Sequence, residues 1–240
     1  MFAVLKREFR SYFQNVVGWL FVAALMELFG LYFYVYNLRQ GYPYLYYTLS
    51  AITIIFMIAV PILTMRSFAE DRKNKTDQLM LTAPVPVAKV VLGKYLAMLA
   101  VFTVDIAVFC VTPLILRAFG TIPMGESYIA ILAFWLYGAA SIAVGMFISA
   151  LTESQVIAAV LTFVVLFISY MMQSLTGLIS SDGNWLTKIL NCLDLYAPFE
   201  KFQGGCLDIT AILYYVTVIV LFNFFTVQAI QKRRWSISKK

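Results

Sequence analysis

The sequence predicts an all-α membrane protein with six transmembrane helices and both ends on the cytoplasmic side. Three observations predict it. Hydrophobic residues make up 62% of the 240 and charged residues 12%, about half the charged share of a soluble domain. The apolar residues gather into six runs, each near the ~20 residues that cross a hydrocarbon layer. Fourteen of the eighteen Lys and Arg residues fall in segments that six spans place on one side: 1–15, 66–94, 152–155 and 231–240. Positive charge marks the cytoplasmic side. The spans must be helices: hydrocarbon leaves no partner for an open backbone group, and no run alternates with the period of a barrel strand.

The elements follow in order. Residues 1–15 read MFAVLKREFRSYFQN, with Phe2, Leu5, Phe9 and Phe13 at helical spacing and Lys6, Arg7 and Arg10 off that stripe. This pattern predicts an amphipathic helix lying in the inner interface. The run after it is longer than a signal-peptide core and has no small-x-small site, so a cleaved signal is not expected. The spans are expected at 16–36, 47–65, 95–116 (with a start as early as 87), 127–151, 156–172 and 209–230. Pro61 and Pro113 are expected to kink the second and third. Ser141, Gly145 and Ser149 form a small-residue stripe in the fourth, which permits close helix packing. Tyr42, Tyr44, Tyr46 and Tyr47 read as an aromatic belt at the outer interface.

The outer segment 173–208 carries turn signals (GLISS, DGNW, FQGG) around WLTKILNCLDLYAPF, too apolar for a free loop and too broken for a span. It is expected to re-enter the membrane or lie in its interface. Cys192 and Cys206 both fall in it. A disulfide between them and two free thiols are both open. With no histidine, neither a Cys/His zinc site nor a histidine-based triad can form. The basic balance is topological, so no nucleic-acid partner is expected; membrane lipid is.

The largest inner segment is a charged island. Seven of the chain's thirty charged residues (Arg66, Glu70, Asp71, Arg72, Lys73, Lys75 and Asp77) occupy twelve positions. The second span is expected to run on to about Asp71. A short apolar stretch, QLMLT, and then Pro84 and Pro86 suggest a short helix along the membrane surface and an elbow, since proline bars continuation of a helix. A segment of nearly thirty residues exceeds what a topogenic loop needs, and it reads as a docking surface.

These residues carry a resemblance. Met65-Arg66, Ala69-Glu70-Asp71-Arg72-Lys73, Thr76-Asp77, Leu79 to Pro84 and Val91 to Leu96 resemble the first cytoplasmic loop of ABC-2 type transporter permeases, and LKREFRSYF at 5–13 is similar to that family's N-terminal interface helix. The nearest group is the gliding-motility-like branch. The resemblance implies one transmembrane domain over 1–240, in the plasma membrane of a bacterium, exporting a substrate. It implies two copies of a separate ABC ATP-binding subunit and a second permease, identical or homologous. Glu70, Asp71, Arg72, Lys73, Thr76 and Asp77 would lie in or beside the ATPase-coupling contact, and Glu153 in a second, smaller one. The chain would bind no cofactor of its own, with ATP and magnesium on the partner. The sequence agrees: no G-x-x-x-x-G-K-[ST] occurs, so ATP hydrolysis by that route falls to the partner.

Glu27 lies midway along the first span and Asp105 midway along the third. A carboxylate there costs ~2.5–3.5 kcal/mol on insertion scales. Each is therefore a candidate pathway or interface residue, or else a structural hydrogen-bond partner inside the bundle. The alternative function, an ion-coupled secondary carrier, would use this pair as its relay, but no inverted repeat supports it. No catalytic motif supports an intramembrane enzyme.

Overall fold

Every apolar run becomes a helix in the computed structural model, which describes residues 2–74, 86–120, 122–179 and 194–237. The amphipathic helix α1 is Phe2–Gln14. The first span, α2, is Val16–Phe33 and continues as a π-helical turn, Tyr34–Arg39. Next come α3 (Leu45–Thr64), the short α4 (Ala69–Lys73), α5 (Val87–Phe109), α6 (Thr112–Phe119), α7 (Met124–Leu151) and α8 (Gln155–Ile179). The short α9 (Ala197–Glu200), a 3₁₀ turn (Lys201–Gly204) and α10 (Ile209–Ile237) follow. Six stretches are long and apolar enough to cross a membrane, and no strand occurs among the described residues. The protein is a multi-pass, all-α membrane protein.

Helix α7 is the axis. Of its apolar stretch 83% is buried, against 33% for α2, 28% for α8 and 22% for α10. It packs against α3, α5, α8 and α10, and α3 in turn touches α2 and α8. Its small residues explain the position. A side chain at Gly138 would run into the rings of Phe102 and Phe56, and a Cβ at Gly145 would sit 2.5 Å from Thr64 Oγ1 and 3.0 Å from Thr162 Cγ2. Between lipid-soluble helices close approach is the main source of attraction, so the glycines let α3 and α5 reach the axis. The Phe56 ring then meets Phe102 and Phe134, each at 5.1 Å, and Phe29 stacks on Phe109 at 3.8 Å.

The third span starts at Val87 and breaks at residues 110–111, where Pro113 begins α6 without an N–H to give. Pro61 lies inside α3, near its end. The turn from α2 to α3 is held by Asn37, whose Nδ2 donates to Tyr42 O at 2.8 Å while its Oδ1 accepts from Thr48 Oγ1 at 2.5 Å. Gly41 supplies the left-handed backbone there, φ 73°.

At the same end of the bundle the described part of the segment before the last span packs inward. Leu195, Tyr196, Phe199 and Phe202 are buried. Tyr196 Oη lies 2.7 Å from Ser50 Oγ, and Tyr215 Oη donates to Leu195 O at 2.8 Å. Asp194 Oδ1 accepts from the N–H groups of Tyr196 and Ala197 and so caps α9, while burial pushes its carboxyl above the ordinary range. Cys206 is exposed and free. Cys192 lies outside the described residues, as do the QLMLT stretch and Pro84.

Candidate functional site

The opposite end of the bundle gathers the charged residues. Helix α3 does not run on to Asp71. It stops at Thr64, the chain turns over 65–68, and α4 starts anew at Ala69. Ser149, at the end of the small-residue stripe of α7, fixes this turn. Its buried hydroxyl accepts from the N–H of Phe68 at 3.2 Å and of Ala69 at 3.1 Å, and donates to Met65 O at 3.3 Å. One side chain thus caps the end of α3 and the start of α4. Ser149→Ala would strand these three groups. It is expected to destabilise the protein by about 1–3 kcal/mol, read as a lower Tm of the purified protein.

The charges of α4 turn inward. Arg66 holds Glu70 through two bonds, Nε to Oε2 at 2.5 Å and Nη2 to Oε1 at 3.0 Å. Arg72 donates from Nη1 to Thr152 O at 3.0 Å and from Nη2 to Ala150 O. It therefore sits on the carbonyl end of α7, where a cation is favoured. Asp71 meets Lys94 of α5, Oδ2 to Nζ at 2.8 Å.

Lys94 is the centre of the arrangement. It is only 3% exposed. Its ammonium donates to Ser67 O at 2.7 Å, pairs with Asp71, and lies 3.4 Å from Glu8 Oε1 of α1 and 5.2 Å from the centre of the Phe68 ring. The Ser67 carbonyl accepts its hydrogen bond, and the two carboxylates face it as ion-pair partners. The buried Tyr12 adds a bond from its hydroxyl to Leu63 O at 3.3 Å, and burial raises its phenol above the ordinary value. A side chain at Gly18 would collide with the Tyr12 backbone, so the corner between α1 and α2 requires glycine. Helix α1, the root of the 66–94 segment, α5 and α7 are tied into one block. Its charges are Glu8, Arg66, Glu70, Asp71, Arg72 and Lys94, with Arg7 on Glu8 at 2.8 Å at the rim.

The expected coupling residues therefore divide. Glu70, Asp71 and Arg72 are half-buried, each with a partner inside the chain. Lys73 and Asn74 are exposed at the end of α4. Thr76 and Asp77 lie outside the described residues. Glu153, between α7 and α8, is exposed and pairs with Arg233 of α10 at 3.1 Å, a surface pair of small energetic weight. Lys94, Glu8 and Ser149 were not among the expected functional residues. Lys94 stands in the matching motif, but nothing in sequence links it to Glu8, 86 positions earlier.

The mid-span carboxylates part ways. Asp105 is fully buried, and neither carboxyl oxygen has a hydrogen-bond partner. Glu27 is exposed on the outward face of α2. The two stand in opposite surroundings. Asp105→Asn removes a buried carboxyl without partners, and membrane insertion is expected to improve by part of the ~2.5–3.5 kcal/mol that such a group costs. A glycosylation-reporter insertion assay checks this. Among the described residues no group of three or more His, Cys, Asp or Glu could hold a metal ion.

A family model described as ABC-2 family transporter protein matches residues 24–204, from within α2 to the 3₁₀ turn before α10. The chain belongs to the ABC-2 transporter family. The permease matches no curated protein in sequence. Membership implies association with an ABC ATP-binding subunit and a membrane subunit that is typically not itself catalytic, and it supports a permease component. The block around Lys94 lies where α1, the 66–74 segment and α7 of this permease converge.

Proposed function

We propose that this permease is the membrane subunit of an ATP-driven exporter in a bacterial plasma membrane, with both ends in the cytoplasm. Two copies of an ABC ATP-binding subunit dock against the 66–94 segment, and a second permease completes the pathway. ATP and its magnesium are held by the partner. Residues 5–13 and 61–96 favour the gliding-motility-like branch.

The observation that carries this reading is the bracing of α4. Lys73 stands exposed at the end of α4, behind Asp71 and Arg72, which are fixed to α5 and to the end of α7, and Glu70, which is held by Arg66. A movement imposed at the tip is then delivered to α1, α5 and α7 together rather than lost in a loose loop. On this reading Lys73, Thr76, Asp77 and Glu153 face the ATPase, and Glu70, Asp71 and Arg72 act as struts behind them.

The test is ATP hydrolysis and transport in proteoliposomes holding permease and ATP-binding subunit. Replacing Glu70 and Asp71 together by Ala is expected to leave ATP hydrolysis running while transport falls. Unchanged transport per ATP would remove the strut assignment.

A further inference from the structure

At the end of the bundle away from Lys94, a cleft of about 510 Å³ opens between α9 and the start of α10. Asp194, Ala197 and Lys201 line one wall, at steps of three and four that keep to one helical face, and Thr210, Ala211 and Tyr214 line the other. The short side chains of Ala197 and Ala211 leave the space between the walls open. Its size falls among small-ligand pockets, about 300–1,000 Å³, and its open surface is mainly apolar with a few polar groups, as in such pockets.

Two of those polar groups are charged, and each has capacity to spare. Asp194 is only 2% exposed. Its Oδ1 accepts both N–H bonds that cap α9, and among the described residues no hydrogen bond reaches Oδ2. A buried carboxyl in such a place is best satisfied by a cation that donates to it. Lys201 stands at the mouth, with its side chain 57% exposed and its Nζ 3.8 Å from Asp208 Oδ2. Asp208 itself is engaged through Oδ1 with the N–H and hydroxyl of Thr210. An ammonium carries three donors, so Lys201 can take an anion while keeping this loose pair.

A ligand that matches both groups carries an ammonium and an anion a short linker apart. Leu207, Ile209 and Leu213, beside the cleft where the last span begins, are exposed and offer apolar surface to the rest of such a ligand. We infer that the cleft binds the headgroup of an aminophospholipid, with the primary ammonium on Asp194 Oδ2, the phosphate on Lys201 and the acyl chains along Ile209 and Leu213. The site goes beyond the exporter reading and does not depend on it. A trimethylated ammonium has no N–H to donate to Asp194, and a glycerol headgroup has no cation for it, so both bind more weakly.

Native mass spectrometry of the full-length permease tests this, with an equimolar mixture of phosphatidylethanolamine, phosphatidylcholine and phosphatidylglycerol added in detergent. The expected result is one phosphatidylethanolamine held per chain, about tenfold in preference to the other two, the effect of one hydrogen bond to a charged group. Asp194→Asn keeps the Oδ1 that caps α9 and loses the charge; it is expected to abolish the preference. Lys201→Gln changes an exposed side chain that the fold does not need, and it is expected to weaken phosphatidylethanolamine binding by a similar factor. Equal retention of the three lipids, or a preference unchanged in Lys201→Gln, would overturn the inference. Displacement of the lipid by free phosphoethanolamine at equal concentration would overturn the lipid as the source of the headgroup.

Discussion

Lys94→Met is expected to be among the most damaging single substitutions in the chain. It removes the cation from a buried cluster and leaves Asp71, the Ser67 carbonyl and Glu8, the last still held by Arg7 at 2.8 Å, facing one another without it. Breaking a buried ion pair from one side costs about 3–5 kcal/mol, because the stranded charge keeps its burial cost. The loss is expected as a lower Tm of the purified protein. Lys94→Met combined with Glu8→Gln and Asp71→Asn removes the stranded charges as well and is expected to recover much of the stability. If the triple variant remains as unstable as the single one, Lys94 stabilises by apolar packing of its stem rather than as the hub of a charge cluster.

Gly145→Val has the second large effect, for a different physical reason. The position lies on the buried axis helix, with Thr64 Oγ1 at 2.5 Å and Thr162 Cγ2 at 3.0 Å from the place of a Cβ. The branched side chain must push α3 or α8 away from α7, and overpacking of this kind costs typically 1–3 kcal/mol. Gly125→Ala is the matched control: it lies in the first turn of the same helix, with nothing within 4 Å of an added Cβ. The two are compared by the fraction of protein that stays monodisperse in detergent on heating. A lower transition for Gly145→Val and an unchanged or slightly higher one for Gly125→Ala are expected.

Both effects depend on contacts that only the folded chain makes, and this separates what the sequence discloses from what it does not. The spans were legible because twenty apolar residues in a row have few other physical uses, and α1 because its stripe repeats at the helical period. The break at 110–111 was foreshadowed by Pro113, and the early start of α5 by Pro86. Gly145 of α7 was read as a packing residue, and it packs. Ser149 was read the same way, yet its hydroxyl caps two helix ends: a local pattern cannot tell which backbone groups another helix will bring to it. The charges of 66–72 suggested an outward docking surface, but α4 lies against α7 and α8, pairs with Lys94 of α5, and turns most of them inward. Glu27 and Asp105 look equivalent as mid-span carboxylates. Their surroundings are opposite because burial is decided by neighbouring helices, and α2 has few of them on its outer side.

The measurement that bears most directly on the central claim is capture of the ATP-binding subunit by the detergent-solubilised permease, with residues 73–84 intact or replaced by a Gly/Ser linker of equal length. The account predicts that the intact permease retains the ATP-binding subunit and that the replaced one, though still inserted and monodisperse, does not. Equal retention by both would contradict the assignment of this segment as the docking site.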